Sequence, residues 1–249
     1  AIKSLLDTLF EAADHTAKHI SILLTNHMKL IHDFGTPCPF GAHTFAPFDL
    51  IGDTLRCTTG VMLDMYRQPE KLITACEALV PVSIKMAVQA AMVTRIPFVI
   101  IPLHKGDDAF MSDEQFIEFY WPTLKAQLLG LIDAGLIPVP FAEGYYDRRL
   151  DIIANSGLPK GKTVWLFDMT DMKTAKEKLG HMACIGGNVP APLFSYASSP
   201  QKMDAYCKKL IEIAGPGGGF ILSPGVTVFQ AKPENMHAFF KSTKKYGVY

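Results

Sequence analysis

The fold of this chain is decided by LIDAGLIPVPFAEG, residues 131–144, where one helix ends and a strand follows. Gly135 can adopt the left-handed backbone conformation that ends a helix, and residues 137–141 are too few and too rich in proline for another helix. Gly144 then allows a sharp turn. The stretch therefore predicts a helix, a tight turn and a short strand that carries Glu143 at its carboxyl end.

Helices and strands are predicted to alternate along the chain. Helical patterns cover residues 2–34 and most of 64–93, where Pro69 is well placed to start a helix. Strands that alternate with helices are typical of a parallel α/β sheet. Six strands are two fewer than in a (β/α)8 TIM barrel, so either two strands escape recognition or the barrel is incomplete at the amino terminus. The predicted strands cover residues 37–45, 97–103, 137–143, 163–168, 182–186 and 219–223.

Composition indicates a globular protein. Its 249 residues are 49% hydrophobic, which is enough for one large α/β domain over residues 1–249. The 24 Lys and Arg residues balance the 24 Asp and Glu residues, so no net charge attracts nucleic acid. No apolar stretch reaches the ~18 to 20 residues that span a bilayer, and the charged amino-terminal segment does not match a signal peptide. We therefore expect a cytoplasmic protein with no nucleic-acid or membrane partner.

Glu143, His104 and Asp168 each end or directly follow a predicted strand. Ligands of parallel α/β proteins bind at the carboxyl ends of the strands, because the loops there vary without disturbing the packed strands. We therefore predict these three side chains to be catalytic. The alternative is structural, since a Glu at a strand end is often an ion-pair residue and a His there often hydrogen-bonds a loop carbonyl.

Polar residues next to these strand ends are candidates for binding a small-molecule substrate. Several of them lie in a loop rich in turn-forming residues that follows the first predicted strand. Asp171 has a second interpretation, because either it or Thr170 could cap the helix that follows. The predicted substrate-binding residues are Asp53, Arg56, Lys105, Tyr145, Arg149, Asp171 and Asn188.

Sequence motifs spread over residues 45–249 point to a family. They are APFDLIGDTLR, MLDMYRQPEKL, IPLHKGDDAFMSDEQF, FYWPTL, PFAEGYYDRRLDII, DMTDM, CIGGNVP, CKKLIE, GGGFILSPG and AKPENM. Together they resemble the uroporphyrinogen decarboxylase superfamily. The resemblance implies a (β/α)8 barrel with its active site at the carboxyl end, and it implies that the first two strands precede Ala1. It also implies either decarboxylation of a porphyrinogen or zinc-dependent methyl transfer with a corrinoid or thiol acceptor.

Two motifs differ from those of the similar methyltransferases. Their His-x-Cys-Gly motif is FAEG here, at residues 141–144. Their carboxyl-terminal Pro-Gly-Cys, which is Gly-His in decarboxylases, is PGV here, at residues 224–226, and valine neither binds zinc nor donates a proton. Glu143, His104 and Asp168 could instead bind zinc or another divalent metal. The alternative is a metal-free site in which Glu143 acts as general acid or base, with a pKa raised by apolar surroundings.

Three functions are consistent with these residues. The first is metal-assisted methyl transfer from a methylated small molecule, in which a corrinoid (cobalamin) or a corrinoid protein acts in trans. The second is decarboxylation of uroporphyrinogen or another polycarboxylate, for which Arg56, Lys105, Arg148 and Arg149 would bind carboxylates. The third is a non-catalytic barrel that binds a corrinoid or a protein partner.

Overall fold

The computed structural model describes residues 2–35 and 40–248. The chain divides into two compact units, Ala1–Phe40 and Gly41–Tyr249, whereas the sequence predicts one domain over residues 1–249. The first unit contains helix α1, Ile2–Phe34, as predicted, and none of its described residues is buried. The hydrophobic core is formed by residues of the second unit. Because a domain is defined by its own core, the second unit by itself meets the definition of a domain.

Six parallel strands form one sheet in the second unit, in the same order as along the chain. Each strand pairs in parallel with the next, which confirms the predicted α/β fold. Within the described part of the chain, β1 and β6 are the edges of the sheet. Residues 37–39 of the first predicted strand lie outside the described residues. The strands are β1 Ala42–His43, β2 Phe98–Leu103, β3 Ile137–Ala142, β4 Val164–Phe167, β5 Cys184–Val189 and β6 Phe220–Pro224.

Helices follow each strand, as the alternating pattern predicts. Gly135 ends α6 with a φ of +79°, which is the left-handed conformation expected from the sequence. Two helical segments contain π-helical turns, at Ile51–Leu55 and Phe116–Tyr120, and Asp147–Arg149 forms a 3-10 turn. The helices of this unit are α2 Pro47–Leu50, α3 Cys57–Arg67, α4 Pro69–Thr94, α5 Asp113–Gln115, α6 Trp121–Asp133, α7 Leu150–Ala154, α8 Met172–Leu179, α9 Ala191–Phe194, α10 Pro200–Ala214 and α11 Pro233–Tyr246.

Helix α4 corrects one expectation of the sequence analysis. Pro69 starts this helix as predicted, but the helix is long and apolar enough to cross a membrane by length and composition. It was missed from the sequence because Glu77 and Lys85 interrupt the apolar segment. One side of the helix, which includes Cys76, Ala87 and Ala91, is buried, and the helix packs on α6 and β1. The helix therefore contributes to the core of this unit.

Alternation along the strands determines which side chains reach the site. In β2, Val99, Ile101 and Leu103 are buried beneath the helices, while the residues between them are only partly buried. Because successive side chains of a strand point to opposite faces, His104 continues the partly buried face. The same alternation along β3 and β4 places Glu143 and Asp168 on the face of the sheet that carries His104.

Candidate active site

His104, Glu143 and Asp168 directly follow β2, β3 and β4, and the fold brings them together. The Nε2 atom of His104 is 3.9 Å from Oε1 of Glu143. The Asp168 carboxylate accepts a hydrogen bond of 3.2 Å from the backbone N–H of Gly144, and its charge acts on Glu143. The three predicted catalytic residues therefore form one cluster, although their catalytic role stays a prediction.

Asp53 joins this cluster from the π-helical turn Ile51–Leu55. Its carboxylate is 2.6 Å from Nδ1 of His104 and also contacts the ammonium group of Lys105. Burial alone would raise the pKa of Asp53, but the hydrogen bonds with Lys105 and His104 outweigh it and lower the pKa. Asp53 thus fixes the ring of His104 so that Nε2 faces Glu143. We call Asp53, His104, Lys105, Glu143 and Asp168 the strand-end cluster.

Asp49 stabilises the backbone of the strand-end cluster through hydrogen bonds. It is not among the site residues that the sequence predicted. Its fully buried carboxylate accepts the backbone N–H groups of His104 and Lys105, each at 3.0 Å, and the hydroxyl of Tyr120. Burial raises its pKa to about 6, although these hydrogen bonds and the nearby charges of His104 and Lys105 oppose the rise. The only sequence signal was its position four residues before Asp53, within the same polar segment. Asp49 therefore holds the backbone of the segment that carries His104.

The acidity of Glu143 suits proton transfer. Its side chain is 37% exposed, and partial burial raises its pKa, with His104 opposing the rise and Asp168 and Asp53 adding to it. Burial also raises the pKa of Asp168, against the hydrogen bond from Gly144. A carboxyl group with a raised pKa, next to an imidazole, is the arrangement that general acid–base catalysis requires.

Two arginines that the sequence analysis assigns to substrate binding are bound to carboxylates of the protein instead. Arg149 is fully buried, and its guanidinium contacts Asp113 and donates to the carbonyl oxygens of Gly106 and Met111. This assignment of Arg149 is wrong, because a side chain without exposed surface cannot contact a substrate. Arg56 is half exposed but forms two hydrogen bonds with Asp64, at 2.6 and 2.8 Å.

The remaining candidates, Tyr145, Asp171 and Asn188, line a cavity of about 400 Å³. Asp171 is also the N-cap of α8, because its side chain accepts the backbone N–H of Thr174 at 2.8 Å. The sequence left open whether Thr170 or Asp171 caps α8, and the structure shows that Asp171 does. The strand-end cluster does not line this cavity.

The structure does not support a metal centre at Glu143, His104 and Asp168. Within residues 2–35 and 40–248, no group of three His, Cys, Asp or Glu side chains is arranged to hold a metal ion. Nδ1 of His104 is bound to Asp53 and one oxygen of Asp168 accepts a hydrogen bond from Gly144, whereas Nε2 of His104 faces Glu143 at 3.9 Å. As placed here, Glu143, His104 and Asp168 do not form a three-ligand site, and the metal stays a prediction.

The fold and the cluster define a parallel α/β protein with an acidic site at the carboxyl ends of its strands. The uroporphyrinogen decarboxylase (URO-D) family matches residues 5–246, so the chain belongs to this family. This confirms the predicted superfamily and its TIM-barrel fold class.

One similar solved structure is a methyltransferase from Methanosarcina mazei. It is 18% identical, has a TM-score of 0.67, and the match covers 88% of this chain. The chain spans 63% of the length of that methyltransferase, and a likeness at this identity shows the fold alone. No protein with a curated description is significantly similar to the chain.

Proposed function

We propose that the chain is a methyltransferase that acts on an uncharged, methyl-bearing small molecule, with Glu143 as the general acid. The methyl acceptor in this proposal is a corrinoid carried by a separate protein. The cluster residues are bound to one another, so none of them is assigned to the corrinoid. When present, the corrinoid supplies the nucleophile that takes the methyl group.

The observation that carries this choice is that the four cations predicted to bind the carboxylates of a polycarboxylate are already paired. Lys105 contacts Asp53, Arg56 contacts Asp64, and Arg148 and Arg149 contact Asp113. A polycarboxylate such as uroporphyrinogen needs unpaired cations, because burying carboxylates without partners is costly. The strand-end cluster instead contains three carboxylates and one ammonium group, which favours an uncharged substrate over a polyanion.

The role of the chain's own residues would be to protonate the leaving group. As the bond between the methyl carbon and its oxygen, sulfur or nitrogen breaks, the electron pair stays on that heteroatom. Glu143 donates a proton to it, and the rise in the pKa of Glu143 caused by its partial burial favours the protonated form that this step needs. His104, oriented by Asp53, then returns a proton to Glu143. Because no step passes through a metal ion, we expect the rate to be unchanged by EDTA.

The test supplies the purified chain with cob(I)alamin and one uncharged methyl donor at a time, such as guaiacol, dimethyl sulfide or methanol. We expect donor-dependent consumption of cob(I)alamin with at least one of them, and loss of that activity in Glu143→Gln. Glu177→Gln is the control, because Glu177 is an exposed residue of α8 that pairs weakly with Lys173. Release of carbon dioxide from uroporphyrinogen, or full activity of Glu143→Gln, would overturn the proposal.

A further inference from the structure

The cavity next to the strand-end cluster has the composition of a separate ligand site. It lies between the loop after β3, the loop after β4 and one face of α10, and its volume of about 400 Å³ is within the usual range of small-molecule sites. Four apolar side chains contribute to its wall: Met169, Met172, Leu210 and Ile213.

Two polar groups in the wall are available to a ligand. Within the described part of the chain, neither the ammonium group of Lys209 nor the hydroxyl of Tyr145 has a hydrogen-bond or ion-pair partner. The other polar groups of the wall are engaged. Tyr206 donates to the backbone and side-chain oxygens of Asn188, at 3.1 and 3.2 Å, and the side-chain amide of Asn188 donates to the carbonyl of Thr170 at 2.7 Å.

The carboxylates near Lys209 do not form an ion pair with its ammonium group. Asp171 accepts the backbone and hydroxyl groups of Thr174, and Asp147 accepts the backbone N–H of Asp171 at 3.0 Å. Lys173 lies 4.0 Å from the carboxylate of Glu177. Within the described residues, Lys209 therefore forms no ion pair with Asp147, Asp171 or another carboxylate, and its ammonium group is available to a ligand.

We propose that this cavity binds a small, largely apolar molecule that carries one carboxylate. The carboxylate pairs with Lys209 and accepts the Tyr145 hydroxyl, and the apolar body covers Met169, Met172, Leu210 and Ile213. A charge-assisted hydrogen bond of this kind is stronger than one between neutral groups. The proposal does not depend on the methyl-transfer reaction, because it concerns binding at residues outside the strand-end cluster.

A ligand in the cavity would also affect the strand-end cluster, because the two sites share loops. The loops that carry Glu143 and Asp168 also form the cavity wall, and backbone N–H groups tie the two loops together. Met169 donates to the Gly144 carbonyl at 3.0 Å, and Tyr146 donates to the Thr170 hydroxyl at 3.0 Å. A ligand that holds these loops therefore also holds the two carboxylates.

The test uses benzoate as the probe, with benzamide as its uncharged equivalent, and measures binding by calorimetry on the full chain. We expect benzoate to bind, and Lys209→Met to weaken it about tenfold or more, which is the effect of losing one charge-assisted contact. Lys202→Met is the matched control, because Lys202 is an exposed lysine on the same helix and does not line the cavity. Ile213→Trp, checked for a normal melting transition, fills the cavity and should also abolish binding.

Three results would overturn the inference: no binding of benzoate to the unmodified chain, equal binding of benzamide, or unchanged affinity in Lys209→Met. Failure here leaves the methyl-transfer proposal standing, because Glu143→Gln tests that proposal separately. A fourth result, equal loss in Lys202→Met and Lys209→Met, would also contradict the cavity inference, since the effect would then come from the overall charge.

Discussion

Two groups of charged side chains lie at the carboxyl ends of the strands, and they differ in how completely their charges are satisfied. In the first group, Arg149 is fully buried, contacts Asp113 and three backbone carbonyls, and lies over the ring of Phe116 at 4.7 Å. In the strand-end cluster, Glu143 and His104 are about one-third exposed and face each other at 3.9 Å. Buried charges with complete partners hold loops, whereas half-exposed charges with incomplete partners are available for chemistry.

The largest effect that would test this contrast is on catalysis. We expect Glu143→Gln to lower the rate of methyl transfer by about 100-fold or more, because an amide cannot act as a general acid. Stability should change little, since Glu143 is partly exposed and has no short hydrogen bond. Stopped-flow kinetics and chemical denaturation would measure both. A variant that loses stability and keeps its rate would reverse the assignment of this cluster.

The opposite pattern is expected for Arg149. Arg149→Met should lower the free energy of unfolding by about 3 to 5 kcal/mol, because it removes a buried ion pair with Asp113 and leaves the carbonyls of Gly106 and Met111 without their donor. Urea denaturation would measure this loss. Arg148→Met is the control, because Arg148 is 55% exposed and contacts the same Asp113, so its loss should be clearly smaller. Equal losses in the two variants would contradict the importance of burial.

Asp49 is buried like Arg149 but holds the backbone of the strand-end cluster, and we expect its contribution to stability to depend on pH. Its pKa is about 6 in the folded chain, above the value of an unfolded aspartate, so the folded chain binds the proton more tightly. The contribution of Asp49 to stability is therefore full below about pH 4 and is lost as the pH rises through about 6. We expect up to about 2 to 3 kcal/mol of this loss to be absent in Asp49→Asn.

The measurement for Asp49 is the free energy of unfolding of both proteins at several pH values between about 4 and 7. The stability of the unmodified chain should fall relative to Asp49→Asn as the pH rises. A difference that stays constant over this range would show that Asp49 does not titrate there. Asp49→Asn should also slow methyl transfer, because the position of His104 depends on the hydrogen bond that its backbone N–H donates to Asp49.

The smallest effect is expected at Arg56. Its guanidinium is half exposed and bound to Asp64, so Arg56→Gln should change the rate of methyl transfer less than twofold. The same kinetic assay used for Glu143→Gln would measure it. A large loss of activity in Arg56→Gln would mean that the arginine leaves Asp64 to contact a substrate, which would favour an anionic substrate and the decarboxylase alternative.

Several local features could be predicted because they depend on residues close together in sequence. The helix end at Gly135 and the helix start at Pro69 follow from nearby backbone preferences, whereas the cap of α8 was left open between Thr170 and Asp171 until the structure showed Asp171. The placement of Glu143 after β3 follows from the same local pattern. The role of Arg149 could not be predicted, because its carboxylate partner Asp113 lies 36 residues away.

The sequence by itself determined the alternation of helices and strands, the family, and which acidic side chains follow the strands, because these depend on periodicity and short motifs. Only the tertiary structure decided which charges are satisfied. Asp49 and Asp53 reach His104 across more than 50 positions of sequence, through a fold that places two loops side by side. Burial and partner geometry are properties of that packing, and they separate the arginine that holds a loop from the glutamate that is available for proton transfer.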